Sequence, residues 1–529
     1  MTRRKFALAL VCSAGLAALA APASAQTPQR GGTLIYAVNA EPPGYDCQAT
    51  TTFVMLQTVG THYSRLINFD PDNYPSFKPD VAESWTVAPD GLTLTFKLRG
   101  NVKFHDGSLL TAEDVKATFE RIRNPPQGIV SVRRAQFEDI SAIEAPDPRT
   151  VVFKLSKPNS SIMMTIASPW NCLYSAAKLR QDIRFPEKNI MGTGAFRFVD
   201  HVAGSHWVGR RFDDYFIPGR PYLDGFRVQF MTGSAMANSF QGGQIMAEFR
   251  GLTPAERDKF KAALGPRVVV SETPWNCKFD IFFNTTHKPY DDVRVRRALS
   301  LAIDRWHGAE ALSRITFVRS VGLTLRPGYP LAMNNEELEK LPGFGRDIAA
   351  ARAEARRLLK EAGAEGLKFT LINRSVPEPF NPVGVYLIDQ WRQIGVSVEH
   401  SPLEVGRQKA TLLAGNFDVG LDANCYDIDE PNSQLALYVS HDKSPINFNR
   451  SNDAVLDELF EKQKRATDEA DRLRYVRAFE RRLIEQSYSV PVVWWHRIVA
   501  HSSQVHGWKI LPSHYLNQDL VDVWLAPAG

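Results

Sequence analysis

The feature that most limits what this chain can become is the unbroken run after residue 25. The 504 residues left when a 25-residue leader is taken from 529 contain no linker, no internal repeat and no low-complexity tract. Single hydrophobic cores stop growing near ~250–300 residues, so two or three lobes are required. Lobes without a linker between them are expected to share crossing strands. Local patterns are mixed. Leu92, Leu94, Phe96 and Leu98 alternate with polar residues, as in a half-buried strand. Thr111 to Asp114 reads as a capping box that opens a helix with Val115, Phe119 and Ile122 on its buried face. Val295, Ala298, Leu299, Ala302 and Ile303 keep helical spacing behind Asp291 and Asp292. Further helices are expected at 347–362, stopping at Gly363, and at 453–466 and 470–486. Short strands are expected at 227–231, 268–272, 279–283, 367–373, 395–400, 417–423 and 490–500. Such alternation gives an α/β or α+β architecture.

The first 25 residues address the chain. Arg3, Arg4 and Lys5 precede an uncharged stretch ending in Ala23-Ser24-Ala25, the pattern of a cleavable export signal with the mature start at Gln26. The arginine pair suits a twin-arginine signal as well as a Sec leader. No later run approaches ~18 uninterrupted apolar residues, so no spanning helix is expected. Lys and Arg number 63 against 58 Asp and Glu; without the three leader cations the balance is 60 to 58, a net +2. A near-neutral chain lacks the field that nucleic acid or anionic lipid demands. Four cysteines remain, Cys47, Cys172, Cys277 and Cys425, none in a C-x-x-C and none at zinc spacing from a histidine. In an oxidising compartment they allow two disulfides, in any of three pairings.

The search for chemistry is mostly negative. No nucleophile elbow, zinc helix or Walker loop is present. The tetrads Ser175 to Lys178 and Ser440 to Lys443 occur at chance frequency, and Gly192-Thr193-Gly194 lacks a third glycine and leads into a strand. His201 and His206, like His496, His501 and His506, are five apart, which puts strand neighbours on opposite faces and argues against a metal site. Trp494-Trp495-His496 reads as interior packing. No catalytic residue, metal ligand or cofactor is therefore assigned. One acidic cluster stands out. The strand with Phe417, Val419, Leu421 and Ala423 on its buried face runs out into Asn424-Cys425-Tyr426-Asp427-Ile428-Asp429-Glu430-Pro431. Ligands of open α/β lobes sit at the carboxyl ends of strands, where Asp427, flanked by Tyr426, can hold an ammonium group. Asp429 and Glu430, ahead of a proline, are expected to cap the next helix. A large exported chain without catalytic machinery points to a receptor.

Four ordered blocks resemble the family 5 solute-binding proteins of ABC importers, the dipeptide, oligopeptide and nickel class. They are residues 79–116 (PDVAESWTVAPDGLTLTFKLRGNVKFHDGSLLTAEDVK), 191–230 (MGTGAFRFVDHVAGSHWVGRRFDDYFIPGRPYLDGFRVQF), 283–305 (FNTTHKPYDDVRVRRALSLAIDR) and 417–431 (FDVGLDANCYDIDEP). The match runs from about Gly31 to the C-terminus. The resemblance implies an α/β, two-lobed periplasmic-binding-protein clamshell, type II-like, with an additional third domain. Lobe I would comprise 26–72, 192–276 and 492–529, the additional domain 73–191, and lobe II 277–491. Hinge strands would cross near residues 275 and 490, and closure would bury a ligand in the form that a permease recognises.

The same resemblance assigns residues. Asp427 stands where peptide-binding relatives hold the ligand's α-amino group, while Asn424 replaces the aromatic three positions before it; Cys425 and Tyr426 complete the segment. A disulfide of oligopeptide-binding relatives maps onto Cys277 and Cys425, and Cys47 and Cys172 are then a candidate second pair. Dipeptide binders carry an arginine before the proline of a P-[FY]-N-P run to take the ligand carboxylate. Here Glu378 precedes Pro379-Phe380-Asn381-Pro382, which argues against that dipeptide mode and leaves Arg374 as the nearest substitute. Glu41 and Tyr45 fall where the family lines its cleft. The expectation is a monomeric periplasmic binding component with a small solute, a peptide or peptide-like zwitterion, and an ABC permease as its partners. A non-peptide ligand such as a nickel chelate or opine in the same fold, or a secreted peptide hydrolase, are the alternatives.

Overall fold

The computed structural model describes residues 27–248 and 250–527, so the expected leader lies outside the described residues. An eleven-stranded mixed sheet organises the chain. At one end Thr33–Val38 runs parallel to Gly225–Phe230 and Ala247–Glu248, and the hairpin of Phe196–Val202 and His206–Arg211 extends that edge. At the other end Lys368–Arg374 lies parallel to both Ser397–Leu403 and Val419–Cys425. Two long antiparallel strands, Val268–Phe283 and Ser489–Ser502, join the ends and belong to both.

The first of these long strands corrects the sequence reading, which expected separate strands at 268–272 and 279–283. Thr273-Pro274-Trp275-Asn276 interrupts the apolar pattern that marks a strand, but a register shift between Pro274 and Lys278 absorbs the interruption and the ladder continues. Burial changes at the same point. Val268–Pro274 is partly or fully exposed, whereas every residue from Trp275 to Phe283 is buried, as expected of a strand covered on both faces.

Each half has its own core. Leu34, Tyr36, Trp207, Phe226 and Val228 pack in the first, and Phe279, Ile281, Leu299, Leu371, Trp391 and Leu421 in the second. A separate antiparallel sheet orders Ala82–Val87, Thr93–Leu98, Thr150–Leu155 and Ile140–Asp147. The helix Ala112–Arg123 covers it, with the Phe153 ring 5.6 Å from Phe96 and 5.1 Å from Phe119. The expected local signals are present. Asp114 accepts the Thr111 N–H at 2.7 Å, Asp292 accepts that of Arg294 at 2.8 Å ahead of Val293–Leu301, and Ile348–Glu361 stops just before Gly363, whose φ is +66°. Gly194 is fixed by close approach: its N–H donates to the His62 carbonyl at 3.0 Å, and a Cβ there would lie 2.4 Å from the His62 carbonyl carbon.

The four-stranded sheet is tied to the helices Ala454–Arg465 and Glu469–Gln486 by charge. Arg465 reaches Asp139 at 2.7 Å, Lys464 reaches Glu138 at 2.7 Å, and Arg472 and Ser161 share the buried Glu430 carboxylate. Glu430 also caps Pro431–Leu435, accepting the Asn432 N–H at 2.6 Å. Asp429 does not cap, contrary to the sequence reading. Its carboxylate is fully buried against Arg326, 2.8 Å away, because that guanidinium reaches it from a distant segment.

Two disulfides close the chain. Cys277 and Cys425 face each other across neighbouring antiparallel strands, and Cys47–Cys172 spans 125 residues. Closing so long a loop removes much of the unfolded chain's freedom, so replacing Cys47 and Cys172 together by serine is expected to cost about 2–4 kcal/mol in chemical denaturation.

Candidate functional site: a cavity between the two halves of the sheet

A cavity of about 730 Å³ lies where the long strands pass from one half to the other, within the size range of small-molecule sites. Trp275 and Trp495, one from each long strand, form its floor. Met236 and Phe240 of the helix Gly233–Gln241, together with Glu248, Arg250, Gly251 and Leu252, line one wall. Phe317, Ala423, Cys425 and the loop from Arg374 to Phe380 line the other.

The floor is an aromatic cluster centred on Trp495. Its ring centre lies 5.4 Å from Trp275, 5.2 Å from Phe317 and 6.2 Å from Phe380, all in edge-on contacts, the preferred geometry of aromatic pairs. Strand alternation separates it from Trp494, which is fully buried and donates its indole N–H to the Leu323 carbonyl at 3.2 Å. The interior-packing reading of this doublet describes Trp494 fully. Trp495 is packed too, and it is also cavity floor.

Most charges on the walls are already matched. Glu248 accepts the backbone N–H groups of Arg250 at 2.7 Å and Gly251 at 3.0 Å; burial pushes its pKa up against that stabilisation. Glu256 caps the helix Pro254–Leu264 through Thr253. Arg374 pairs with the fully buried Asp422 at 2.6 Å and lies 4.9 Å over the Phe380 ring. Burial raises the Asp422 pKa, while Arg374 and Lys409 draw it down. Glu378 is different: among the described residues its Oε2 is buried without a hydrogen-bond partner.

Of the residues singled out from sequence, Arg374 and Cys425 line the cavity. The others do not line it. The Asp427 carbonyl accepts from the Ser513 hydroxyl at 2.6 Å; burial raises its carboxyl pKa and the Arg133 cation lowers it. Tyr426 donates its N–H to the Asn276 carbonyl at 3.0 Å, while its buried hydroxyl has no partner among the described residues. Asn424, in place of the aromatic, donates to Asp280 at 2.9 Å and joins a buried cluster with Lys278 and Tyr438. Glu41 and Tyr45 both engage His201, at 3.2 and 3.0 Å, on the hairpin at the sheet edge. Sequence reasoning missed Trp275, Phe317, Phe380 and Trp495 as cavity residues. Only the Trp494-Trp495 doublet and the Pro379–Pro382 run hinted at two of them, and no linear spacing brings the four together.

A cavity held astride strands common to two lobes defines a two-lobed solute-binding clamshell. The chain belongs to the bacterial extracellular solute-binding proteins, family 5, whose middle-region profile matches residues 76–445. That family consists of periplasmic or extracellular binding proteins. Over 526 residues the chain is 28% identical to di/tripeptide-binding protein 1 of Pseudomonas aeruginosa, covering 93% of this chain and 95% of that one. It is 27% identical over 464 residues to the glutathione-binding protein GsiB of Escherichia coli, covering 84% and 86%. The fold is shared with the ABC transporter substrate-binding protein CtaP of Listeria monocytogenes, with a TM-score of 0.81, 24% identity and coverage of 94% and 100%. It is shared also with the periplasmic binding protein DppA of Helicobacter pylori in complex with the peptide STSA, with a TM-score of 0.76, 23% identity and coverage of 94% and 98%.

The Arg374–Asp422 pair gives a direct test of the wall. Arg374→Ala leaves Asp422 buried beside Lys409 alone and is expected to cost about 3 kcal/mol in urea unfolding, with Arg374→Lys recovering part of the loss.

Proposed function

We propose that this protein is the periplasmic substrate-binding component of an ABC importer, which captures a peptide or peptide-like solute between its lobes and releases it unaltered to a membrane permease. The observation that carries the reading is the cavity of about 730 Å³ with one wall from each half of the sheet and an aromatic floor on the shared strands. A ligand that touches both walls favours the closed arrangement by its differential affinity for it, and closure is what a permease can read. The names of the relatives, di/tripeptide-, dipeptide- and glutathione-binding proteins, support a peptide-like solute. The leader before Gln26 supports export to the periplasm. In this reading lobe I is 26–72, 192–276 and 492–529, the additional domain 73–191 and lobe II 277–491. The solute's apolar groups rest on Trp275, Phe317 and Trp495.

Mass spectrometry of whatever co-purifies, followed by thermal unfolding against di- and tripeptides, an opine and a nickel chelate, tests the proposal. A peptide at ~100 times its Kd adds about 2.7 kcal/mol of stability. Val376→Trp, which fills the cavity from its wall loop, is expected to remove that gain while the protein still unfolds cooperatively. Peptides recovered intact after long incubation are the expected result. Cleavage would favour a hydrolase, and a response confined to the opine or chelate would replace the peptide reading.

A further inference from the structure

We propose that Glu378 anchors a cationic nitrogen of the solute, so that the amino end of a peptide-like ligand lies against the loop from Arg374 to Phe380. This rests on the peptide reading above and assigns the ligand's orientation within it. The argument is one of unmatched groups. Three residues that line the cavity carry buried polar atoms without a partner among the described residues: Arg374 through Nε, Glu378 through Oε2 and Trp495 through Nε1. Two of these atoms are donors and one is an acceptor. They do not satisfy one another, since Arg374 Nε and Glu378 Oε2 are both unpaired.

Two wall charges take part in no ion pair among the described residues, Glu378 and, on the facing wall, the exposed Arg250. Glu248 and Glu256 accept from the backbone of their own turns, and Arg374 is already neutralised by Asp422. Glu378 takes part in no ion pair or hydrogen bond among the described residues, and it is only half-buried, so rotation of its carboxylate presents either oxygen to the cavity. A carboxylate in this position is complementary to an ammonium group, by a charge-assisted hydrogen bond in a site shielded from water. A free carboxylate is a poorer fit there, because Glu378 would repel it. Asp427, by contrast, does not line the cavity.

The experiment is calorimetric titration of the di- and tripeptides that bind, each in free and N-acetylated form, into wild type, Glu378→Gln and Asp427→Asn. The expected results are a Kd raised at least about tenfold by Glu378→Gln for free-amine peptides, N-acetylated peptides that bind both proteins equally weakly, and little change with Asp427→Asn. Without ligand, Glu378→Gln should unfold at the same or a higher temperature, because it removes a charge that has no partner; a lower temperature would assign Glu378 to structure instead. If wild type binds free and acetylated peptides alike, or if Glu378→Gln binds normally, the anchor is elsewhere although peptide capture stands. If no peptide binds wild type, the function falls and this inference with it.

Discussion

The molecule depends on one antiparallel pairing, Val268–Phe283 against Ser489–Ser502. Both strands contribute to both halves of the large sheet. They also carry the floor of the cavity, Trp275 and Trp495, and the first of them pairs with the disulfide-linked strand Val419–Cys425. A binding site built on shared strands has a floor common to both halves, and the ladder between those strands shifts register at Pro274–Lys278 beside it. The walls come from loops and helices of opposite halves, so ligand contact and lobe approach are a single event.

Charge is distributed accordingly. The seam between the four-stranded sheet and the helices Ala454–Arg465 and Glu469–Gln486 uses fully engaged carboxylates, with Glu430 held by Arg472 and Ser161 and Asp139 by Arg465. Buried pairs of this kind contribute more to a unique arrangement than to net stability, since desolvation offsets much of the attraction. The cavity walls share the pattern in the Arg374–Asp422 pair and depart from it at Glu378. A carboxylate without a partner is tolerable where an incoming group can satisfy it, which is the physical content of a binding site.

The segment after Val419–Cys425 shows how far a sequence can be read. Its acids follow a strand end, as ligand-holding acids do, yet the structure pairs two of the three with arginines. Asp427 lies near Arg133, Asp429 pairs with Arg326 and Glu430 with Arg472. An aspartate looks the same in the chain whether its counterion is a ligand or an arginine three hundred residues earlier. Glu41 and Tyr45 repeat the point, since His201 engages both from across the sheet edge. The Cys277–Cys425 bridge was readable only through the family resemblance, because three pairings were equally open to spacing alone.

What the sequence determined by itself was local and compositional. The period-two run at Thr93–Leu98, the caps at Asp114 and Asp292, the stop at Gly363 and the need for more than one core all follow from interactions within a few residues or from total length. Only the tertiary structure decided that two apolar runs around Thr273–Asn276 form one strand, because the partner that completes the ladder lies more than two hundred residues away. It also decided which of two adjacent tryptophans faces the cavity and that a cavity glutamate, Glu378, has no partner among the described residues. Those properties belong to neighbours in space, and neighbours in space are what a linear pattern does not contain.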